Sequence, residues 1–266
     1  MELLDTRTDI GLIRDNNEDA SIAIYHPKSK NLKLLIVADG MGGKEHGEFA
    51  SNFVVEKLKN WFIEKDAKTL NDVKQTRDLL IKYIKRLNTE IIKKCGNNKS
   101  GTTLTMSILG KRKTIIANVG DSRAYIYKDQ ELIQVTEDDS DVWYYHKYAD
   151  IEKEDLRFFS NNNIINACIG LCDDLCRVTV SVIDNDYDML ILLTDGVTDL
   201  IKDKKIKKII KNNNKERVLE KIIHEAVYVD QHLNIPARLK KRYLANYIVP
   251  FKGRDNATGA IYIKDV

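Results

Sequence analysis

Proline, cysteine and long apolar runs are scarce in this sequence of 266 residues. It has three prolines and no low-complexity linker or repeat, so we predict one continuous domain over residues 1–266. No apolar run approaches the ~18–20 residues that a membrane span needs. The acidic start MELLDTRTD is not typical of a signal peptide. These absences predict a cytoplasmic protein with no membrane association.

Neither sign of charge dominates. Lys and Arg total 43 against 40 Asp and Glu, a formal net charge of +3, which gives no case for a nucleic-acid partner. Cys168, Cys172 and Cys176 recur every four residues, a spacing that would align thiols on a helix for a metal. Gly170 interrupts this segment, no His lies in it, and the spacing is not CxxC, so we interpret these residues as reduced thiols.

Hydrophobic periodicity predicts that strands and helices occur in separate groups along the sequence. The predicted strands are ASIAIYHP, NLKLLIVADG, TTLTMSILG, KTIIANVGDSR, AYIYKDQELIQVT (a hairpin about 128–130), RVTVSVID, DMLILLTDG and ATGAIYIK. One helix is predicted to bury Phe49, Phe53, Leu58 and Phe62, the next Leu80, Ile84, Leu87 and Ile91, and two lysine-rich helices fill 203–230. This order lacks βαβ alternation and predicts an α+β fold, with mainly antiparallel strands and helices on opposite sides of a sheet sandwich.

Acidic residues abut apolar strands at five places: Asp39, Asp121, Asp195, Asp255, and Glu18 with Asp19. Each alone is an ordinary turn residue, but carboxylates converging at one edge of a core repel each other unless a cation neutralises them. An oxygen-only set suits Mg²⁺ or Mn²⁺, and two such ions about 3.5–4 Å apart could activate a water for attack on a phosphoryl group. Arg14 could clamp that phosphate, or be a solvated surface residue.

An ordered series of motifs runs from about residue 5 to residue 264: GLIRDNNEDA, LLIVADGMGGKEHGEFAS, SGTTLTMSILG, ANVGDSRAYIY, NACIGL, LILLTDGVTDLI and DNATGAIYI. A single Asp-Gly is weak evidence, but the series resembles the metal-dependent protein serine/threonine phosphatases of type 2C, in their compact bacterial form. The resemblance implies a four-layer α-β-β-α sandwich of two mainly antiparallel sheets flanked by helices. It also implies a dinuclear metal site in a cleft at one end.

The same resemblance implies a ligand set and a reaction. The first ion would be held by Asp39, Asp195 and Asp255, the second by Asp39, the Gly40 carbonyl and, through water, Glu18, and a third, weaker ion by Asp121 and Asp195. Arg14 matches the phosphate-binding arginine. A metal-bridging hydroxide would attack phosphoserine or phosphothreonine directly, with no covalent phosphoenzyme. The implied partners are a phosphorylated protein substrate and a serine/threonine kinase, and we expect a monomer.

Two positions depart from the family pattern. Met41 follows the Asp-Gly where many eukaryotic members have His, so a metal-bound water, or no dedicated side chain, is expected to protonate the leaving group. None of the five histidines lies in a motif position, and none is our candidate base. The motif T-x-D-H-S reads TEDDS here, with Asp139 in place of His, which changes the local hydrogen bonding but removes no metal ligand.

Two segments are candidates for substrate selection. The first, 141–163, occupies the position of the variable flap beside the cleft. Its aromatic residues Trp143, Tyr144, Tyr145 and Tyr148 either grip a peptide or pack under the flap. The second is an insertion at about 232–254, longer than the family's connection. Its basic residues are Arg238, Lys240, Lys241, Arg242, Lys252 and Arg254. It is either a solvated helical insertion or a docking surface for an acidic or phosphorylated partner.

Three functions are compatible with the sequence. The first is an active, metal-dependent protein phosphatase, favoured because every expected carboxylate is present. The second is a catalytically weak regulatory module that binds phosphoproteins. The third is a phosphatase of a small phosphorylated metabolite, since selectivity would lie in the flap and the insertion.

Overall fold

The computed structural model describes residues 2–42, 46–96, 100–171, 177–228, 232–233, 235–243, 251–252 and 255–264. Its strands are β1 (Leu3–Asp9), β2 (Ala20–His26), β3 (Ser29–Ala38), β4 (Gly40–Met41), β5 (Gly101–Thr102), β6 (Leu104–Leu109), β7 (Lys113–Val119), β8 (Arg123–Lys128), β9 (Glu131–Gln134), β10 (Thr179–Asp184), β11 (Met189–Leu193), β12 (His232–Leu233), β13 (Phe251–Lys252) and β14 (Ala257–Ile263). Its helices are α1 (His46–Glu64), α2 (Ala67–Asn71), α3 (Val73–Cys95), α4 (Trp143–Tyr148), α5 (Asp195–Thr198), α6 (Asp203–Asn212), α7 (Val218–Tyr228) and α8 (Ala237–Arg242), with 3₁₀ turns at Lys153–Phe158 and Lys215–Arg217.

The described strands form two five-stranded sheets. Sheet A has the strand order β1-β14-β11-β8-β9, and sheet B has the order β10-β7-β6-β3-β2. Every neighbouring pair in both sheets is antiparallel. Short pairs, β4 with β5 and β12 with β13, lie outside them. The predicted α+β class with antiparallel sheets is therefore confirmed.

Alternate residues of the central strands face different layers. On β3, Leu34 and Ile36 pack into a core with α1 and α3, whereas Leu35 and Val37 pack into a second core with residues of sheet A. Alternate residues of β11 likewise face two cores: one set packs into that second core, and the other packs with α6 and α7 into a third core. Successive strand side chains point to opposite faces, so strands covered on both faces are apolar throughout. The layers are thus α-β-β-α.

The helices bury the residues that the sequence predicts, with one exception. On α3 the predicted face is wholly buried: Leu80, Ile84, Leu87 and Ile91. On α1, Leu58 and Phe62 are buried, but Phe49 is 38% exposed and stacks on the partly buried Phe53, with ring centroids 5.6 Å apart. Ala50 fills the buried position nearby. The prediction that Phe49 lies on the buried face is wrong, because Gly47, Ala50 and Ser51 form the buried face of the start of α1 and Phe49 points away from it.

Two features of the chain differ from the sequence expectations or extend them. Strand β1 was not predicted, because LLDTRTD has only two apolar residues; it is an edge strand that pairs with β14, from Leu3 opposite Ile263 to Asp9 opposite Ala257.

The flap contains α4 and a 3₁₀ turn. The flap has its own small core, which includes Leu239 of α8.

Among the described residues, Cys95 is a partly buried free thiol and Cys168 is buried, whereas Cys172 and Cys176 lie outside the described ranges. None of the described helices combines the length and the apolar character needed to cross a membrane.

Candidate active site

The acidic residues singled out in the sequence lie at one edge of the sandwich. Ala20 pairs with Ala38 across β2 and β3, which places Glu18 beside Asp39. Leu193 pairs with Gly259 across β11 and β14, which places Asp195 beside Asp255. Because β3 and β11 face each other across the core between the sheets, both pairs of strand ends open into one cleft. The antiparallel register therefore brings together residues more than 200 positions apart.

The backbone at Asp39 is held by the segment between β5 and β6. The Asp39 N–H donates to Thr103 Oγ1 at 3.0 Å, and the Thr103 N–H donates to the Asp39 carbonyl at 2.8 Å. Thr102 Oγ1 also donates to that carbonyl, at 2.9 Å. These bonds fix the point where the chain leaves β3, so the carboxylate projects from a rigid position.

Two glycines make room for Glu18. A Cβ at Gly40 would lie 2.3 Å from the Gly47 carbonyl oxygen and 2.4 Å from that of Glu18. A Cβ at Gly47 would lie 2.8 Å from Glu18 Cδ. The Glu18 carbonyl also accepts bonds from the Gly40 N–H at 3.1 Å and from Ser51 Oγ at 2.5 Å. The start of α1 and the end of β3 thus form a close-packed cradle that a methyl group at either glycine would break.

The loop that carries Arg14 is tied to the loop before β14. Arg14 Nη2 donates to Asp255 Oδ2 at 2.8 Å, with both side chains partly exposed. Asn256 is buried, and its Oδ1 accepts a hydrogen bond from the Glu18 N–H at 2.9 Å. Its Nδ2 donates hydrogen bonds to the carbonyls of Ile10 and Asn16, at 2.9 and 3.0 Å. Arg14 and Glu18 therefore have their positions set from the far end of the chain.

The carboxylates are close enough to disturb each other's ionisation. Burial, reinforced by the charges of Asp19 and Asp195, raises the pKa of Asp39 well above its usual value. Burial, with the charges of Asp255 and Asp199, raises the pKa of Asp195 to about 7. Burial also raises the pKa of Asp19, whose Oδ2 accepts a bond from Thr194 Oγ1 at 3.0 Å. Crowded carboxylates of this kind favour bound protons or cations.

Asp121 lies on the flap side of Asp195. A small pocket between them is lined also by Asp199 and by Arg157 of the flap. Burial, followed by the negative charges of Asp195 and Asp138, raises the pKa of Asp121 well above its usual value. Asp121 and Asp195 thus lie close enough for their charges to interact, and their role at a third ion stays a prediction.

Asp139, which replaces the family histidine, joins two loops. Its carboxylate accepts a bond from the Gly120 N–H at 3.2 Å and forms an ion pair with Arg177 at 3.0 Å. Its own N–H donates to the Gly120 carbonyl at 3.0 Å, and its carbonyl accepts from the Asn166 N–H at 2.6 Å. Asp139 thus anchors the turn that precedes Asp121.

The donor set fits hard divalent cations. Asp195 Oδ1 is buried and accepts no hydrogen bond from the described residues. Carboxylate oxygens are the ligands that Mg²⁺ and Mn²⁺ prefer. Within the described ranges, however, no three His, Cys, Asp or Glu side chains converge closely enough to form a complete ligand set. Binding would therefore replace existing contacts, among them the Arg14–Asp255 ion pair.

Sequence reasoning assigned no role to three side chains that the structure places here: Asn256, Asp199 and Arg157. Two of them lie inside quoted motifs, DNATG and TDGVTDLI, so their positions were visible but their contacts were not. Asp19 was noted beside Glu18 but not assigned as a site residue. Arg157 lies in the flap, which has no periodicity from which its direction could be inferred.

A two-sheet sandwich with a carboxylate-rich cleft and an adjacent arginine defines a class of metal-dependent phosphatases. This chain belongs to the protein phosphatase 2C family, whose model matches residues 14–225. It is a hydrolase of a family that depends on Mn²⁺ or Mg²⁺.

Particular relatives agree with this assignment. The serine/threonine phosphatase stp of Listeria monocytogenes is 34% identical over 210 residues, which cover 77% of this chain and 82% of that protein. The protein phosphatase PhpP of Streptococcus pneumoniae is 30% identical over 207 residues, covering 76% and 82%. Among solved structures, the serine/threonine phosphatase Stp1 of Staphylococcus aureus has a TM-score of 0.81 at 29% identity, covering 100% of this chain and 96% of that one.

Proposed function

We propose that this chain is a metal-dependent protein phosphatase that hydrolyses phosphoserine and phosphothreonine by direct attack of water. The observation that carries the proposal is that Asp39, Asp195 and Asp255 lie at one cleft, where burial and their mutual charges raise the pKa values of the first two. Such a cluster is unfavourable for the protein unless it binds cations, which makes a structural role alone a poor explanation.

Each residue of the cleft has a role in this reaction. Asp39, Asp195 and Asp255 would hold one ion, Asp39, the Gly40 carbonyl and Glu18 a second, and Asp121 with Asp195 a third. When bound, Mn²⁺ or Mg²⁺ lowers the pKa of water and polarises a phosphoryl oxygen. Arg14 would exchange its ion pair with Asp255 for two hydrogen bonds to the phosphoryl oxygens, which orients the phosphorus.

The substrate class comes from the relatives, several of which are named serine/threonine phosphatases. A phosphorylated protein, including a serine/threonine kinase, is accordingly our proposed substrate. The exposed pair Tyr144 and Tyr148, with stacked rings 5.9 Å apart, gives the flap a surface for a peptide, whereas Trp143 and Tyr145 pack into the flap core. Packing under the flap therefore accounts for Trp143 and Tyr145, and peptide contact stays a proposal for Tyr144 and Tyr148.

The test is phosphate release from a phosphothreonine peptide with Mn²⁺, with Mg²⁺ and with EDTA. We expect activity with either ion and none with EDTA. Asp195→Asn should lower kcat/KM by about a hundredfold or more, because it removes a charged ligand. Asp186→Asn is the matched control: it also removes a carboxylate, but one exposed at the opposite end of β11 and paired with Lys128.

Two other results would change the conclusion. Hydrolysis of small phosphomonoesters in preference to phosphopeptides would favour the metabolite phosphatase. A folded protein that binds Mn²⁺ and phosphopeptide, yet releases no phosphate from any substrate, would favour the regulatory binding module.

A further inference from the structure

The short helix α8 lies against the flap. We call residues 235–243 the strap and residues 141–163 the flap. Leu239 of the strap is 4% exposed and belongs to the same small core as Val142, Leu156 and Phe159 of the flap. Tyr243 meets Phe159 edge to face, with ring centroids 5.1 Å apart. The strap therefore covers apolar surface that the flap would otherwise expose.

An ion pair joins the strap to the centre of the flap. Arg238 Nε and Nη2 donate to the two carboxylate oxygens of Asp155, at 2.8 and 2.6 Å. The Asp155 side chain is only 4% exposed, whereas that of Arg238 is 60% exposed. A bidentate pair fixes orientation as well as distance, and a buried carboxylate that loses its partner is strongly unfavourable. Arg242 adds a bond from Nη2 to the Ala149 carbonyl, at 2.9 Å.

The same 3₁₀ turn reaches the cleft on its other side. Arg157, two residues after Asp155, is 5% exposed, and its Nη1 donates to the Asp199 carbonyl. It lines the pocket shared by Asp121, Asp195 and Asp199. One short turn thus contacts the strap at Asp155 and lines the edge of the cleft at Arg157, so the strap and the cleft are joined through this turn of the flap.

We propose that the strap sets the position of the flap over the cleft, with Arg238 as a positioning residue that acts through Asp155. The proposal rests on the phosphatase function proposed above and adds a determinant of protein-substrate recognition. The strap lies beyond residue 225, where the match to the family model ends. Two of the arginines that we considered for docking an acidic partner, Arg238 and Arg242, contact the flap, whereas Lys240 and Lys241 are the exposed lysines of α8.

The first experiment compares Arg238→Ala with Lys241→Ala, which removes the same charge from an exposed position of the same helix. Arg238→Ala should loosen the flap and raise KM for a phosphothreonine peptide by about fivefold, because Tyr144 and Tyr148 of the flap are the proposed peptide contacts. For an aryl phosphate, kcat should stay within about twofold, since that substrate needs only Arg14 and the carboxylates. Arg238→Lys should restore part of the peptide KM, and Lys241→Ala should match the parent protein.

The second experiment needs no catalysis. The chain has two tryptophans, and Trp61→Phe leaves Trp143 of the flap as the only emitter. In that background Arg238→Ala should increase acrylamide quenching of Trp143 by about twofold. Adding Asp155→Asn to Arg238→Ala should increase the quenching little further, because both substitutions break the same ion pair. Equal quenching and equal peptide KM in Arg238→Ala and Lys241→Ala would overturn the proposal. If Arg238→Ala changes the quenching of Trp143 but neither the parent protein nor any variant releases phosphate, the role of the strap is supported and the phosphatase proposal fails.

Discussion

At the scale of single residues, Asn256 organises the mouth of the cleft without carrying charge. Its three hydrogen bonds connect β14 to the loop that bears Arg14 and Glu18. The sequence predicted the adjacent Asp255 as a ligand because a carboxylate at a strand end is a recognisable pattern. It could not predict the role of Asn256, because the partners of an amide depend on how two distant loops meet.

We predict that Asn256→Ala both destabilises the protein and weakens phosphate binding. The change leaves the Glu18 N–H and the carbonyls of Ile10 and Asn16 without their partner, at a cost of about 2–3 kcal/mol in the free energy of unfolding. KM for an aryl phosphate should rise because Arg14 loses its support. Urea unfolding and steady-state kinetics measure the two effects. Asn52→Ala, which removes one exposed bond within α1, should do neither.

At the scale of elements, strand β8 begins at a buried ion pair. Arg123 donates to Asp138 through Nε at 2.9 Å and Nη2 at 2.6 Å, and the two side chains are 8% and 3% exposed. The pair connects the turn containing Asp121 to the chain entering the flap. The apolar runs of β3 and β11 made both strands predictable, whereas edge strand β1 and the exposed Phe49 depended on which faces the neighbouring layers cover.

We predict that Arg123→Met lowers the free energy of unfolding by about 3–5 kcal/mol, because it leaves the Asp138 carboxylate buried without a partner. Adding Asp138→Asn should recover part of that loss, since the amide is neutral. Chemical denaturation of the two single variants and the double variant measures the coupling. Additive losses in the double variant would mean that the two side chains do not stabilise each other.

At the scale of the whole molecule, the crowded carboxylates couple stability to pH. The pKa of Asp195 is raised from its ordinary 3.8 to about 7, and those of Asp19, Asp39 and Asp121 are raised as well. Between these limits the native state binds more protons than the unfolded chain, so the free energy of unfolding falls as pH rises through the window. The spacing of carboxylates in the sequence predicted the cluster, but its burial required the packed fold.

We predict that in EDTA the Tm falls by roughly 5 °C or more between pH 5 and pH 8. Carboxyl groups whose pKa values are lowered, such as Glu2 and Asp66, have already lost their protons at pH 5 and do not oppose this trend. Mn²⁺ should raise the Tm most at pH 8, where protons compete least for the carboxylates. Differential scanning fluorimetry measures both curves. A flat profile in EDTA would contradict the raised pKa values, and Asp195→Asn should flatten it in part.

The pairing of β1 with β14 has a consequence for synthesis. Arg14 precedes its partner Asp255 by 241 residues, and Glu18 precedes its partner Asn256 by 238, so the ribosome makes each pair at widely separated times. Sheet A cannot close before β14 enters between β1 and β11. Contacts of such long sequence separation form late because the intervening chain must be ordered first. A nascent chain that has not reached β14 therefore has no assembled cleft, because it lacks both Asp255 and the strand that joins β1 to β11.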